Sequence, residues 1–317
     1  MAFMENLLKN LNPVGEGEAR APVVPLLQRR NTRGKITVFT SGKGGVGKST
    51  ISGAVAGFLA KEGRKVLLID TDTGLRTIDL IIGVENSVIS NLYDITEERV
   101  NWQDALITRP DAPGLFIIAS DQSRNKESIR KDAFEKFLMT AGRYFDHIII
   151  DCPAGVEYGF TLAVGAADEA FVVVIPENPS IRGAAQAVRL LEQRKISPLS
   201  AIVNWGDERM EANGLAASPE EIESAMGVPV RGYIPMDLTV RACGHKGIPL
   251  FLWDKPSPAA EALRKFVRDT WLGPDTIWSG AEEVGNASLR SPLLRQRQAP
   301  PENRAQEESS AGSEEVA

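Results

Sequence analysis

The chain has 317 residues, room for one large α/β domain with tails or for two small domains, and its 43% apolar content can fill a core without staples. A net charge of −6 gives no general drive toward nucleic acid, so such binding would need a local basic patch. Cys152 and Cys243 make no paired motif and His147 and His245 have no metal-ligand spacing, which argues against a disulfide framework and a histidine metal centre and for a reducing cytoplasm.

In chain order, residues 1–34 are an extension broken by Pro13, Pro22 and Pro25. It lacks the basic-then-apolar pattern of a signal peptide, and no apolar run reaches the roughly 18 residues that span a bilayer. Phe3, Met4, Leu7, Leu8 and Leu11 fall on one helical face, and the basic stretch "QRRNTRGK" follows. That segment suits either an anionic lipid surface or a helix docked on the body or on a partner.

From Lys35 to Gly273, short β-branched runs alternate with amphipathic stretches. The runs are "KITVFT", "KVLLID", "LFIIAS", "HIIID", "AFVVVI", "LSAIVN" and "VRGYI", each apolar nearly throughout, as in strands buried on both faces. Helices are expected over Thr50–Glu62, Lys126–Tyr144 and Ile181–Arg194. The pattern predicts a mostly parallel, doubly wound α/β sheet with helices on both faces, binding its ligand at the strands' carboxyl ends. Residues 274–317 form a polar tail that cannot repay its ordering entropy, so disorder is expected there.

Between the first strand and first helix lies "GKGGVGKS", Gly42 to Ser49, which fits G-x-x-x-x-G-K-[ST] in the required strand–loop–helix context. Gly42, Gly44, Gly45, Val46 and Gly47 would turn backbone N–H groups around phosphate oxygens, with Ser49 and Thr50 opening the helix. Lys48 suits the β and γ phosphates of a nucleotide, and the Ser49 hydroxyl suits Mg²⁺. "LLID" and "IIID" put Asp70 and Asp151 at strand ends on the same sheet edge, where carboxylates hold a hard cation directly or through water. Asp151 is the Walker B candidate. Cys152 beside it reads as a small buried filler, since no histidine is placed to activate it. Lys43, the residue after the first glycine, is open on these grounds: a solvated charge or a hand reaching a second copy.

"KGGVGKST", "LLIDTDTGLRTIDLIIGVEN", "DCPAGVEYGF" and "GYIPMDLTVRACGHKGIPL" together resemble the MinD/ParA family of P-loop ATPases with a deviant Walker A motif, and its MinD branch most closely. The resemblance runs from about Lys35 to Leu272. It implies an ATP-sandwich homodimer in which Lys43 of each subunit contacts the other's phosphates. It implies that Asp72 lies in the first switch and orients the attacking water, and that Gly155 belongs to the second. Asn204, with the loop around Pro235 and Asp237, then reads the adenine edge. It further implies slow hydrolysis without an activating protein, a division-inhibitor partner, and reversible attachment to the inner face of the membrane.

The match has departures. Gly183 and Ala185 stand where the branch carries acids used by its partners, and Thr77 replaces an asparagine. The branch ends in a basic amphipathic helix, whereas here Leu289, Leu293 and Leu294 with Arg290, Arg295 and Arg297 are interrupted by Pro292. The leading expectation is a switch that places the division site. The alternative is a ParA-like partitioning ATPase, which needs a basic surface such as Arg29, Arg30 and Arg33. A metabolic P-loop enzyme or an iron–sulfur carrier is the third, and the carrier lacks its paired cysteines.

Overall fold

Eight strands form one sheet: β1 (Lys35–Thr40), β2 (Val66–Asp70), β3 (Ile107–Arg109), β4 (Ala112–Ile118), β5 (His147–Asp151), β6 (Glu169–Val174), β7 (Leu199–Gly206) and β8 (Val230–Pro235). The structure is a computed structural model that describes residues 27–72, 77–120, 129–155 and 158–273. Strand order is β3-β4-β2-β5-β1-β6-β7-β8. Every pairing is parallel except that of β3 with β4. The α-helices among the described residues are α1 (Lys48–Lys61), α2 (Ile78–Ile82), α3 (Leu92–Thr96), α4 (Lys131–Ala141), α5 (Tyr158–Val164), α6 (Asn178–Gln193), α7 (Glu208–Ala212), α8 (Pro219–Met226), α9 (Leu238–Lys246) and α10 (Pro258–Val267).

The strands are apolar throughout because both faces are covered. Ile36 and Val38 of β1, Leu67 and Ile69 of β2, and Ile148 and Ile150 of β5 join one core with Phe134 of α4 and Val188 of α6. The alternate residues Val66, Leu68 and Ile149 join a second core with Phe58 of α1 and Leu263 of α10. Period-two alternation in each strand therefore feeds two cores rather than a core and a solvent face. Each such buried Leu, Ile or Phe contributes about 1.5–3 kcal/mol.

All seven expected strands are present, and the sheet is the predicted one. Sequence reading missed β3, a three-residue edge strand paired antiparallel to β4 across Pro110 and Asp111, and β4 accordingly begins at Ala112 rather than Leu115. α6 begins three residues before Ile181, because Pro179 is compatible with the first turn and pre-sets its φ. α4 is shorter than expected, and residues 121–128 lie outside the described ones.

Both membrane-facing expectations, the apolar face from Phe3 to Leu11 and the leucines from Leu289 to Leu294, also lie outside the described residues. The basic stretch before β1, residues 28–35, is described. Arg30 pairs with Asp146, and Arg33 holds both oxygens of Asp168 at 2.9 and 2.7 Å. Two of its arginines thus tie the strand entrance to the body.

Candidate nucleotide site

β1 is central and continues to β2 on one side of the sheet, whereas its neighbour β5 continues to β6 on the other. A crevice opens at the carboxyl end of such a strand. The loop from Gly42 to Gly47 turns there into α1, and it needs glycine for two different reasons. Gly45 and Gly47 have φ of 80° and 88°, a left-handed region that side chains resist. Gly42 lies backbone against backbone on Gly183 of α6: a Cβ on it would sit 1.9 Å from the Gly183 carbonyl carbon. That contact gives Gly183, a departure from the family pattern, a packing reason.

The first residues of α1 meet the end of β5. Lys48 Nζ lies 2.9 Å from Asp151 Oδ1 and 3.1 Å from Ser49 Oγ. Ser49 Oγ donates to Asp151 Oδ2 at 2.6 Å, and Ser52 Oγ donates to Oδ1 at 2.9 Å. Lys48 and Asp151 are both buried. Burial by itself would lower the Lys48 pKa, but the Asp151 carboxylate outweighs it and holds the ammonium above its ordinary value.

Asp70 faces Asp151 in the β2–β5 register and is fully buried. Burial, and then the charge of Asp151, push its carboxyl up to about 8. It accepts from the Asp72 N–H at 2.8 Å and from the Ile78 N–H at 3.4 Å. Asp70 therefore fixes the backbone on both sides of residues 73–76, which are not described. Asp72 lines the crevice, and its carbonyl accepts from Ser120 Oγ at 3.0 Å.

The crevice widens into a cavity of about 720 Å³ between the loop and the ends of β7 and β8. Gly44, Gly45, Val46, Gly47, Lys48, Ser49 and Thr50 line it on one side, and Asn204, Pro235 and Asp237 on the other. Asn204 Nδ2 donates to the Val46 carbonyl at 2.8 Å, so this amide also fixes the loop. The Asp237 carboxylate caps α9 through the Thr239 N–H and braces α10 by accepting from Ser257 Oγ at 2.6 Å. Burial would raise its pKa, but those hydrogen bonds prevail and lower it. The structure brings ten of the thirteen phosphate-, base- and metal-expected positions to the wall of this cavity and leaves Gly42 packed on Gly183 instead. Asp70 and Asp151 sit just behind the lining.

Lys43 is not on the cavity wall. Its Nζ lies 3.3 Å from Glu177 Oε2, and both side chains are about half exposed. Gly155, expected in the second switch, has φ 90° and donates its N–H to the Ser41 carbonyl at 3.0 Å. Cys152 is buried, and burial pushes its thiol up to about 12, as befits a filler. Sequence reasoning missed Trp205, Met236, Leu238 and Arg241, which also line the cavity. They sit at the end of β7, in the β8–α9 turn and on the first turn of α9, where composition carries no ligand signal.

A glycine loop leaving a central strand, with a buried lysine and serine facing a strand-end carboxylate, defines a P-loop nucleotide-binding protein of the doubly wound class. The family described as an AAA domain matches residues 34–199. The chain is 36% identical over 234 residues to the septum site-determining protein MinD of Synechocystis sp., covering 74% of this chain and 88% of that protein. It is 35% identical over 237 residues to MinD of Bacillus subtilis, with the same two coverages of 74% and 88%. Among solved structures, the MinC:MinD cell division protein complex of Aquifex aeolicus has a TM-score of 0.70 at 33% identity, covering 77% of this chain and 98% of that one. MinD of Pyrococcus horikoshii complexed with Mg-ADP has a TM-score of 0.67 at 25% identity, covering 74% and 95%. The chain belongs to the MinD family of septum site-determining ATPases.

Proposed function

We propose that the chain is an ATP-driven switch: it forms a homodimer with ATP, binds the membrane reversibly from the cytoplasmic side and helps place the division site. The observation that carries this is the split between its two loop lysines. Lys48 is buried on the cavity wall, where a phosphate could replace Asp151 as its partner. Lys43 points away from its own cavity, at the surface, where a second copy could meet it.

The donors fit a magnesium nucleotide. Ser49 Oγ and the two carboxylates are hard oxygen ligands, and among the described residues no group of three or more acidic, histidine or cysteine side chains forms a metal cage. Magnesium keeps several waters and shares phosphate oxygens, so it needs only such a partial protein set. Ser49, Asp151 and Asp70 are its proposed holders, and when bound it would neutralise charge developing on the β and γ phosphate oxygens.

The chain's own contribution is positioning. The loop N–H groups from Gly44 to Thr50 and the α1 N-terminus bind phosphate oxygens. Lys48 adds a fixed cation, and Asp72 orients the water for in-line attack. Asn204, Pro235 and Asp237 form the base end. Lys43 of one copy completes the phosphate site of the other, coupling assembly to the nucleotide. A partner protein that speeds hydrolysis and a division inhibitor are the proposed protein ligands. The name of the Aquifex complex supports the second.

The ParA-like reading gains no observation. Its candidate basic surface before β1 is largely neutralised by Asp146 and Asp168. The test is light scattering and vesicle sedimentation of the full chain with ATP and with ADP. ATP should double the mass and carry protein into the pellet. Lys43→Ala should keep ADP affinity within about twofold yet stay monomeric, because an exposed pair contributes little to the fold. A wild-type chain that stays monomeric with ATP overturns the switch.

A further inference from the structure

Among the described residues, three that are not glycine have a positive φ: Glu98, Lys195 and Trp205. Glu98 and Lys195 each follow a helix C-cap, where a left-handed residue is ordinary. Trp205 has no such excuse. It lies inside β7 with φ 58°, a conformation that is an outlier for a bulky side chain.

The cause is a bulge. Asn204 pairs with Ile234 and Gly206 with Pro235, so Trp205 is the extra residue with no cross-strand partner. Gly206 locks the bulge in place: a Cβ there would sit 2.2 Å from the Tyr233 ring, and its carbonyl accepts from the Met236 N–H at 2.9 Å. The distortion turns the indole out of the sheet. It lines the cavity beside Asn204 and Pro235, 42% exposed, and no described aromatic ring stacks on it. Bulges next to sites re-aim side chains, and strain of this kind persists where the surroundings impose it.

Resting on the reading of this cavity as the ATP site, we propose that Trp205 is the platform on which the purine ring of the bound nucleotide stacks. Asn204 and Trp205 then divide the labour. The amide fixes the phosphate loop and offers its edge to the base, and the indole covers the base's face. Stacking is indifferent to the base's hydrogen-bonding edge, so Trp205 supplies affinity and the neighbouring polar groups supply the choice of base.

The experiment uses the full chain with Mg²⁺ and compares ADP, which is not expected to drive dimerisation, with pyrophosphate, which lacks the base. Calorimetry and tryptophan emission are read for wild type, Trp205→Phe and Trp205→Ala. Trp205→Ala should bind ADP about tenfold more weakly and pyrophosphate unchanged, and Trp205→Phe should stay within about threefold of wild type. ADP but not pyrophosphate should quench wild-type emission, and Trp205→Phe should lose that quench. Equal ADP affinity of Trp205→Ala and wild type overturns the proposal, even if ATP-dependent dimerisation is lost, since the indole is then a subunit contact. Equal weakening toward both ligands also overturns it, because the residue is then only holding the loop. A folded wild type that binds neither ligand overturns the nucleotide reading itself and this inference with it.

Discussion

Replacing Lys48 with Met removes one charge of a buried pair while keeping most of the side-chain volume. Asp151 is left fully buried beside Asp70, with the hydroxyls of Ser49 and Ser52 still donating to it. Breaking a buried pair from one side costs about 3–5 kcal/mol, because the remaining charge is uncompensated. The two hydroxyl donors put the cost at the lower end, about 3 kcal/mol. For a domain of this size that lowers the melting temperature by roughly 6–12 °C. Lys48→Met/Asp151→Asn removes the orphaned charge and should recover at least half of the loss. Thermal melts without nucleotide, followed by circular dichroism at neutral pH, measure both variants. A single variant melting within about 2 °C of wild type, or a double variant no more stable than the single, refutes the reasoning.

Gly47→Ala should cost about 1–3 kcal/mol of stability and weaken ADP at least tenfold by calorimetry, since its Cβ would sit 2.3 Å from Asn204 Nδ2 at a φ of 88°. Asp72→Ala should bind ATP within about threefold of wild type but hydrolyse it about 100-fold more slowly in a phosphate-release assay, because it misplaces water rather than nucleotide. Asp70→Asn tests the buried carboxyl. Its pKa rises on folding from 3.8 to about 8, so the folded state holds a proton that the unfolded state has released. Wild-type stability without metal should therefore fall as pH rises through that window, and Asp70→Asn should flatten the fall in urea titrations at successive pH values.

The sheet was legible because each strand is a short apolar run with a glycine or helical signal after it. β3 was not, since "ITR" carries too little pattern and exists only through its pairing with β4. The phosphate loop was legible because its chemistry is written in consecutive residues. The proposed base end is assembled from the ends of β7 and β8, and nothing local marks Trp205 as turned outward. That depends on a register shift between two strands. Gly183 shows the same limit. In sequence it reads as a lost acid, whereas in space it is the residue that lets α6 lie on Gly42.

The two loop lysines are both neutralised by carboxylates of their own chain, yet at very different strengths. Lys48 and Asp151 are buried at 2.9 Å, a pair that costs several kcal/mol to break unless a new anion arrives. Lys43 and Glu177 are half-exposed at 3.3 Å, a pair worth about 0–1 kcal/mol. The first lysine can therefore leave its partner only when phosphate takes that partner's place, which makes its rearrangement conditional on nucleotide. The second can leave at almost no cost and is free to follow whatever surface comes opposite. A switch needs this ordering, in which the costly step senses the nucleotide and the cheap step senses the second copy. On the proposed reading, exchanging the two strengths by burying Lys43 in a strong internal pair should leave a protein that binds ATP and does not assemble.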